Sequence, residues 1–187
     1  AEAGINHNGF LAFALDLIDA AKDAGADAVK FQTFRADELG CTPDIAACEL
    51  EPRAWPVLAL HAASRGITFF STPFDCESVD LLDPLVPCFK IASGEITNER
   101  LLRHVASKWK PVILSTGMAT PEEIEDARDW LILRGVMPPL FLLHCVSAYP
   151  APAEEMNLRA IQEMERDYGQ WIWGVGLSDH SLGITVP

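Results

Sequence analysis

The sequence lacks the features that would place it in or across a membrane. No apolar run approaches the roughly 20 residues that a membrane-spanning helix needs. No basic segment leads into an apolar stretch with a small-residue cleavage site, as a secretory signal would. The chain also has no initial Met and enters a motif within its first residues, so we expect it to be truncated at both ends.

Positive charge is scarce. The chain carries 14 Lys and Arg residues against 27 Asp and Glu residues, a formal net charge of −13. Such a surface argues against nucleic acid or an anionic membrane as the main partner. It does not exclude an anionic small substrate, because a pocket can be locally positive. The positions of the few lysines therefore become important.

Several familiar site signatures are missing as well. The five cysteines are an odd number without CxxC or zinc-type spacing, which favours reduced thiols in a cytoplasmic protein. Neither HExxH nor HxH occurs. The nucleotide-binding patterns GxGxxG and GxxxxGK[ST] are absent too, which disfavours a dinucleotide-binding or P-loop protein.

Short β-rich runs alternate with amphipathic helical stretches along the whole chain, a pattern typical of βα units and a parallel sheet. The predicted strands are Ala1–Ile5, Ala28–Thr33, Thr68–Thr72, Cys88–Ser93, Val112–Thr116, Leu140–Cys145 and Trp173–Ser178. The predicted helices are Leu11–Ala24, Pro56–Ser64, Cys76–Leu82, Asn98–Lys108, Pro121–Leu133 and Leu158–Tyr168. Thr120, Thr97 and Asp75 are the candidate helix N-caps. At 187 residues, the chain suits one globular domain.

Two architectures fit seven such units: an open doubly wound sheet, or an α/β (β/α)8 TIM barrel with about seven of its eight units present. Polar residues cluster at the end of each predicted strand. All strand ends of a barrel open on one face, where barrel enzymes carry their chemistry. We therefore favour the truncated barrel. We expect several of these residues to converge at its C-terminal mouth: Glu2, Lys30, Thr72, Lys90, Ser93, Ser115 and Ser178.

Hydroxyl groups at the strand ends have two possible roles. Ser93 and Ser115 are each followed closely by Gly, and Ser178 is followed more loosely by one. Hydroxyls and open backbone N–H groups at helix N-termini bind phosphate. The same residues also serve as simple helix caps.

Two lysines lie in otherwise apolar strands, where a charge needs a partner. We expect an anionic ligand or an internal Glu beside each. Lys30 shares its strand face with Gln32, whereas Lys90 has the opposite parity to Ser93. Lys90 and Ser93 can enter one site only if the strand ends or bulges between them. A Schiff-base role, as in barrel aldolases, is the main chemical alternative for either lysine.

His180 follows Asp179 at the end of the last predicted strand. This position suits a metal ligand, a general base or a core histidine. His7 and His144 are similarly placed, and Tyr149 lies in a loop at the same face.

Seven segments, each at a predicted strand, carry a resemblance when taken in order: GINHNG, VKFQTF, STPFD, FKIASGE, ILSTGM, LLHCVSAYPAP and GLSDHS. This series resembles the sialic acid synthase (N-acetylneuraminate synthase) family, including its legionaminic, pseudaminic and spore coat polysaccharide relatives. The resemblance covers essentially all of the chain. It implies a phosphoenolpyruvate-dependent transferase of carbohydrate and polysaccharide biosynthesis, which condenses phosphoenolpyruvate with an open-chain N-acyl hexosamine such as N-acetylmannosamine.

The resemblance also implies a role for each matching residue. The phosphoenolpyruvate-binding positions are Lys30, Thr72, Lys90, Ser93, Ser115 and Ser178. The sugar-facing positions are Gln32, Ser147, Tyr149, Asn6 and His7, with Glu2 beside them. The catalytic positions are Glu2, Glu95 and His180, of which His180 is also the metal ligand. Ser147 stands where neuraminate-forming members often carry Asn, which leaves the acceptor sugar open.

Further implications concern parts of the enzyme beyond these residues. The family implies a divalent metal, typically Mn²⁺ with Mg²⁺ or Co²⁺ as alternatives, and a homodimer. A second metal-binding His on the eighth strand and an antifreeze-like C-terminal domain follow the barrel in the family. We expect both to lie outside residues 1–187. Three other readings stay open: a Schiff-base aldolase, a ligand-binding barrel without turnover, and an inactive fragment whose open edge favours aggregation.

Overall fold

The computed structural model of the chain describes residues 1–186, and a strand forms at each of the seven predicted places. The strands are β1 (Glu2–Gly4), β2 (Ala28–Thr33), β3 (Thr68–Pro73), β4 (Phe89–Ile91), β5 (Val112–Ser115), β6 (Leu140–His144) and β7 (Gly174–Leu177). Most end a residue or more from the predicted bounds because the alternation of side chains fades where a strand gives way to a loop.

Of the eight α-helices in residues 1–186, six were also predicted. The helices are α1 (Leu11–Asp23), α2 (Ala36–Leu39), α3 (Pro43–Ala46), α4 (Ala54–Arg65), α5 (Cys76–Leu82), α6 (Glu99–Ala106), α7 (Pro121–Leu131) and α8 (Arg159–Tyr168). The sequence prediction missed α2 and α3, which have only four residues each. Within residues 1–186, none of the helices has the length and hydropathy of a membrane span.

The strands lie in the sheet in the same order as they occur in the sequence. Its strand order is β1-β2-β3-β4-β5-β6-β7, and the described pairs are parallel. A doubly wound sheet reverses its strand order at a switch point, whereas a (β/α)8 barrel adds each strand beside the preceding one. The chain therefore has the fold of a truncated (β/α)8 barrel, as predicted.

The first of two compact units is Ala1–Phe89. Side chains of β2 alternate between faces, so Phe31 is fully buried while Lys30 and Gln32 point to the opposite side. The Phe31 ring packs in the core with its centroid 5.8 Å from that of Phe69. This alternation leaves the face of β2 that carries Lys30 available for polar chemistry.

The second compact unit is Lys90–Pro187. Leu114 of β5 is in register with Leu142 of β6, and both are fully buried. Helix α7 begins with a complete capping box, in which the Thr120 side chain accepts from the Glu123 N–H and the Glu123 carboxylate accepts from the Thr120 N–H. The predicted cap at Thr120 is thereby confirmed, and this start fixes where the loop after β5 ends.

Candidate active site

In the first unit, Lys30 is held by an internal acid. Its ammonium forms an ion pair with Glu2 of β1 and donates a hydrogen bond of 3.2 Å to the Thr72 hydroxyl of β3. The Lys30 side chain is 13% exposed, and Glu2 is 55% exposed. The partner expected for a lysine in an apolar strand is therefore Glu2, which neutralises most of the buried charge.

Gln32 lies in the same polar cluster. The side chains of Gln32 and Glu2 both approach the backbone of Gly4. A Cβ built on Gly4 would stand 3.2 Å from Glu2 Oε1 and 3.7 Å from Gln32 Oε1. The first unit thus brings Glu2, Lys30, Gln32 and Thr72 together on one face of β1, β2 and β3. An ammonium, a carboxylate, an amide and a hydroxyl in one place suit a polar, partly anionic ligand.

Asn6 and His7 are both predicted to face the sugar, but the turn after β1 places them in different surroundings. Asn6 is exposed, whereas His7 is fully buried with its ring centroid 6.0 Å from that of Phe31. Phe31 belongs to the core-facing side of β2, opposite to Lys30. His7 therefore lies in the core layer, a position different from the sugar-facing one expected of it.

The surroundings of His7 favour a neutral imidazole. Its Nδ1 accepts a hydrogen bond of 3.1 Å from the Gly9 N–H, and its buried Nε2 has no hydrogen-bond partner among the described residues. Burial lowers the pKa of His7 below its usual value of 6.5. An imidazolium at this position would lose both its hydration and the bond to Gly9.

Acid should therefore destabilise the protein through His7. The unfolded chain takes up a proton on His7 as the pH falls below about 6.5, while the folded chain resists it. The stability is fully present above that pH and is lost progressively below it, by up to about 1.4 kcal/mol per pH unit.

Urea unfolding between pH 5 and 7.5 measures this loss. The slope of the unfolding free energy should be smaller in His7→Gln than in the wild type. His61→Gln is the matched control, because His61 is half-buried on α4 and pairs with Asp19. Equal slopes in the wild type and His7→Gln would show that His7 is not the group involved.

In the second unit, Lys90 is the middle residue of the three-residue strand β4. It is 6% exposed, and its ammonium donates hydrogen bonds of 2.7 Å to the Ile91 carbonyl and 2.6 Å to the Ser115 hydroxyl. Strand β4 ends at Ile91, and a short 3-10 helix follows at Ser93–Glu95. The strand therefore ends between Lys90 and Ser93, one of the two arrangements that their opposite parity required.

Ser93, Gly117 and Ser147 meet at one point near the ends of β4, β5 and β6. A Cβ on Gly117 would stand 2.9 Å from Ser93 Oγ and 2.8 Å from Ser147 Oγ. Real Cβ atoms essentially never approach other atoms so closely. The structure thus brings a predicted phosphoenolpyruvate-binding residue and a predicted sugar-facing residue to the same glycine.

Glu95 is oriented by a residue that the sequence prediction did not assign to the site. The Asn98 side-chain amide donates a hydrogen bond of 2.7 Å to the Glu95 carboxylate. The Asn98 side-chain oxygen also accepts from the Leu101 N–H, so Asn98 is the N-cap of α6. The N-cap prediction at Thr97 was wrong by one residue, whereas Asp75 does cap α5. The sequence signal for the contact between Asn98 and Glu95 was the predicted start of a helix at Asn98, three residues after Glu95.

His180 lies after β7 and is oriented by the backbone. Its Nδ1 is 2.8 Å from the Val146 carbonyl oxygen, which can only accept, so Nδ1 carries the proton in the neutral ring. The Nε2 lone pair then points toward the Ser178 hydroxyl, 3.4 Å away. The Tyr149 ring, which is 77% exposed, lies over the imidazole with a centroid distance of 4.1 Å.

This arrangement of His180 fits a metal ligand. Metal-binding imidazoles commonly donate one N–H to a carbonyl or carboxylate, which directs the other nitrogen at the metal. Across residues 1–186, no three His, Cys, Asp or Glu side chains are grouped so that they could hold a metal ion. In the described part of the chain, His180 is therefore a single candidate ligand and not a complete metal centre.

Comparison with known proteins gives the same family as the strand-end motifs. The NeuB family model matches residues 17–187. The chain is 44% identical over 207 residues to the N,N'-diacetyllegionaminic acid synthase of Campylobacter jejuni subsp. jejuni serotype O:2, covering 100% of this chain and 61% of that protein. It is 43% identical over 210 residues to the enzyme of the same name from Legionella pneumophila subsp. pneumophila, covering 100% of this chain and 58% of that protein.

A solved structure agrees over the same extent. The crystal structure of N-acetylneuraminic acid (sialic acid) synthetase from Leptospira borgpetersenii serovar Hardjo-bovis, in complex with citrate, matches with a TM-score of 0.90 and 38% identity. The match covers 100% of this chain and 66% of that one. The chain spans less than two thirds of the length of the two curated relatives. With a family match over residues 17–187 and these identities, the chain belongs to the NeuB family.

Proposed function

We propose that this chain is the barrel part of an enzyme that condenses phosphoenolpyruvate with an open-chain N-acyl hexosamine, giving a nonulosonic acid and phosphate. The observation that carries the proposal is the buried Lys90 ammonium of β4, which is bound to the Ser115 hydroxyl. A buried cation with a hydroxyl beside it suits a phosphate or carboxylate ligand. Membership of the NeuB family supports the reaction class.

The two lysine clusters supply the groups that phosphoenolpyruvate requires. Lys30 with Thr72 and Lys90 with Ser115 each combine an ammonium with a hydroxyl. Phosphoenolpyruvate carries two anionic groups, a phosphate and a carboxylate, and each pair by itself suits a group of this kind. We assign Ser93 and Ser178 to the same ligand as further hydrogen-bond donors.

The proposed reaction forms one carbon–carbon bond and breaks one carbon–oxygen bond. C3 of phosphoenolpyruvate adds to the aldehyde carbon, the aldehyde oxygen becomes a hydroxyl group, and cationic character develops at C2. Glu95, oriented by Asn98, takes a proton from the water that attacks C2. The hydroxyl group on the resulting tetrahedral carbon gives up its proton as the C–O bond to phosphate breaks, so C2 becomes the keto group. The proton taken by Glu95 balances the one that the former aldehyde oxygen gains. Lys30 and Lys90 stabilise the departing negative charge.

A divalent metal belongs to this proposal, with Mn²⁺ as the first candidate and Mg²⁺ or Co²⁺ as alternatives. His180 would hold it through Nε2, because Nδ1 donates to the Val146 carbonyl. A metal bound there would act as a Lewis acid on the sugar aldehyde oxygen. Gln32, Ser147 and Tyr149 would bind the sugar, with Glu2 and Asn6 beside them.

The acceptor class follows from conservation of nitrogen. The two curated relatives are named N,N'-diacetyllegionaminic acid synthases. Phosphoenolpyruvate contains no nitrogen, so both acetamido groups of such a product must come from the sugar. For this chain we therefore propose mono- and di-N-acylated hexoses as the acceptors to test. The whole protein is proposed to act as a homodimer.

The contacts of both lysines argue against the aldolase alternative. A Schiff base forms from a neutral amine. The Lys90 ammonium donates to two oxygen acceptors, and the Lys30 ammonium is paired with Glu2. Both amino groups are engaged in these contacts and would have to leave them before either could attack a carbonyl group.

Acceptor-dependent release of phosphate tests the proposal. The enzyme that contains this chain should release phosphate from phosphoenolpyruvate only when Mn²⁺ and an N-acylated hexose are both present, with a sugar acid formed in equal amount. A coupled assay measures the released phosphate, and mass spectrometry measures the sugar acid. Binding of phosphoenolpyruvate without turnover for any acceptor would favour a binding protein instead.

A further inference from the structure

Gly117 is placed where a side chain has no room. It follows β5, is half-buried and adopts a left-handed φ of +53°. A Cβ there would stand 2.6 Å from the Cβ and 2.9 Å from the Oγ of Ser93, and 2.8 Å from the Oγ of Ser147. The two serines belong to different strand-end loops, after β4 and after β6. The absent side chain is therefore what allows both loops to approach the end of β5.

The turn that carries Gly117 is fixed to the sheet. The Thr116 N–H and the Thr116 hydroxyl both donate to the Leu143 carbonyl oxygen of β6, at 3.0 and 3.2 Å. The Ala119 N–H then donates to the Thr116 carbonyl oxygen at 2.9 Å, which closes the turn. Thr116 is buried at 4% exposure. Gly117 consequently cannot withdraw from the two serines without breaking hydrogen bonds to β6.

We propose that Gly117 is a positioning residue, whose missing side chain lets Ser93 and Ser147 stand side by side where the two substrates meet. This inference rests on the proposed function, which assigns Ser93 to phosphoenolpyruvate and Ser147 to the sugar. Both hydroxyls lie within 3 Å of the same point beside Gly117, so the two groups that the proposed function assigns to different substrates are neighbours. A reaction that joins two substrates through a new carbon–carbon bond requires such a meeting point.

The inference has a kinetic signature that separates Gly117 from its neighbours. A methyl group at position 117 displaces both hydroxyls, so Gly117→Ala should raise KM for both substrates. An additional methyl group in a packed site weakens substrate binding by roughly 10- to 200-fold, and we expect each KM to rise within that range. Ser93→Ala should raise mainly the KM for phosphoenolpyruvate, and Ser147→Ala mainly the KM for the acceptor.

Backbone strain is separated from crowding by a matched control. Gly135 is also left-handed, at φ +77°, but a Cβ there would have no neighbour within 4 Å. Gly135→Ala therefore introduces the same kind of strain without the contact. It should leave both KM values within about twofold of wild type. Thermal melts of the two variants compare their stabilities.

A second variant crowds the same point without altering a left-handed residue. Ser147→Val directs a methyl group at Gly117 from an exposed position. It should raise the KM for phosphoenolpyruvate in addition to that for the acceptor, even if Gly117→Ala fails to fold. A rise in the acceptor KM alone would overturn the inference.

The experiment is a full set of two-substrate kinetics on the enzyme that contains this chain, with calorimetric binding of phosphoenolpyruvate as a second readout. If Gly117→Ala folds but changes neither KM or only one of them while the wild type turns over, Gly117 is not the meeting point. A wild-type enzyme that releases no phosphate with any acceptor contradicts the proposed function itself, which is a different result.

Discussion

Replacing Lys90 by alanine is expected to raise the KM for phosphoenolpyruvate and to lower turnover. The Lys90 ammonium is buried and bound to the Ser115 hydroxyl, so its charge acts on a ligand with little screening by water. A charge-assisted hydrogen bond contributes about 1.5–3 kcal/mol, which corresponds to a loss of roughly 10- to 150-fold. The KM for the sugar should change much less.

A surface lysine provides the control for this substitution. Lys22 on α1 donates to the Gly66 carbonyl at the protein surface, so Lys22→Ala removes the same charge away from the proposed site. Its kinetics should match those of the wild type. Unchanged kinetics in Lys90→Ala would exclude Lys90 from the site. A covalent adduct on Lys90 after borohydride treatment with substrate would instead support the aldolase mechanism.

Removal of the metal is expected to abolish activity in the complete enzyme, and addition of Mn²⁺ should restore it. The condensation needs an electrophilic aldehyde, and a Lewis acid contributes several kcal/mol to such a step. Residues 1–186 offer His180 as a single candidate imidazole ligand, so residues 1–187 alone should bind Mn²⁺ weakly. The complete enzyme, for which the family resemblance implies a second imidazole ligand, should bind it tightly.

His180→Ala should separate metal binding from phosphoenolpyruvate binding. The variant should lose most of its Mn²⁺ affinity and turnover, while phosphoenolpyruvate still binds through the lysine clusters. Calorimetry with each ligand measures both affinities, and His61→Ala on the outer helix α4 serves as the matched control. Equal metal affinity in wild type and His180→Ala, with turnover insensitive to a chelator, would reduce His180 to a structural residue.

The strands were predictable because their physical signal is local. Side chains that alternate along β2 and polar residues that follow each strand are both visible in the sequence. The family was predictable for the same reason, since its motifs occupy the strand ends, and the comparisons confirm it. Helices α2 and α3 were missed because four residues are too few to show helical periodicity.

Contacts between distant parts of the chain were less predictable. His7 follows a strand end like the other site residues, but its direction depends on Phe31, 24 positions later in the sequence. The role of Gly117 depends on two loops that come from other strands. Such approaches follow from the packing of the sheet, and no spacing along the chain encodes them. Asn98, in contrast, is the N-cap of α6, and the sequence prediction placed this cap one residue earlier, at Thr97.

Phosphoenolpyruvate labelled with ¹⁸O at its bridging oxygen tests the central claim most directly. If C3 attacks the aldehyde and water attacks C2, the C–O bond breaks and the label leaves with phosphate. Mass spectrometry of both products should then find the label in phosphate, an unlabelled keto acid and no phosphate release without the N-acylated sugar. Label retained in the keto acid, or phosphate released without the sugar, would contradict the condensation proposed for this chain.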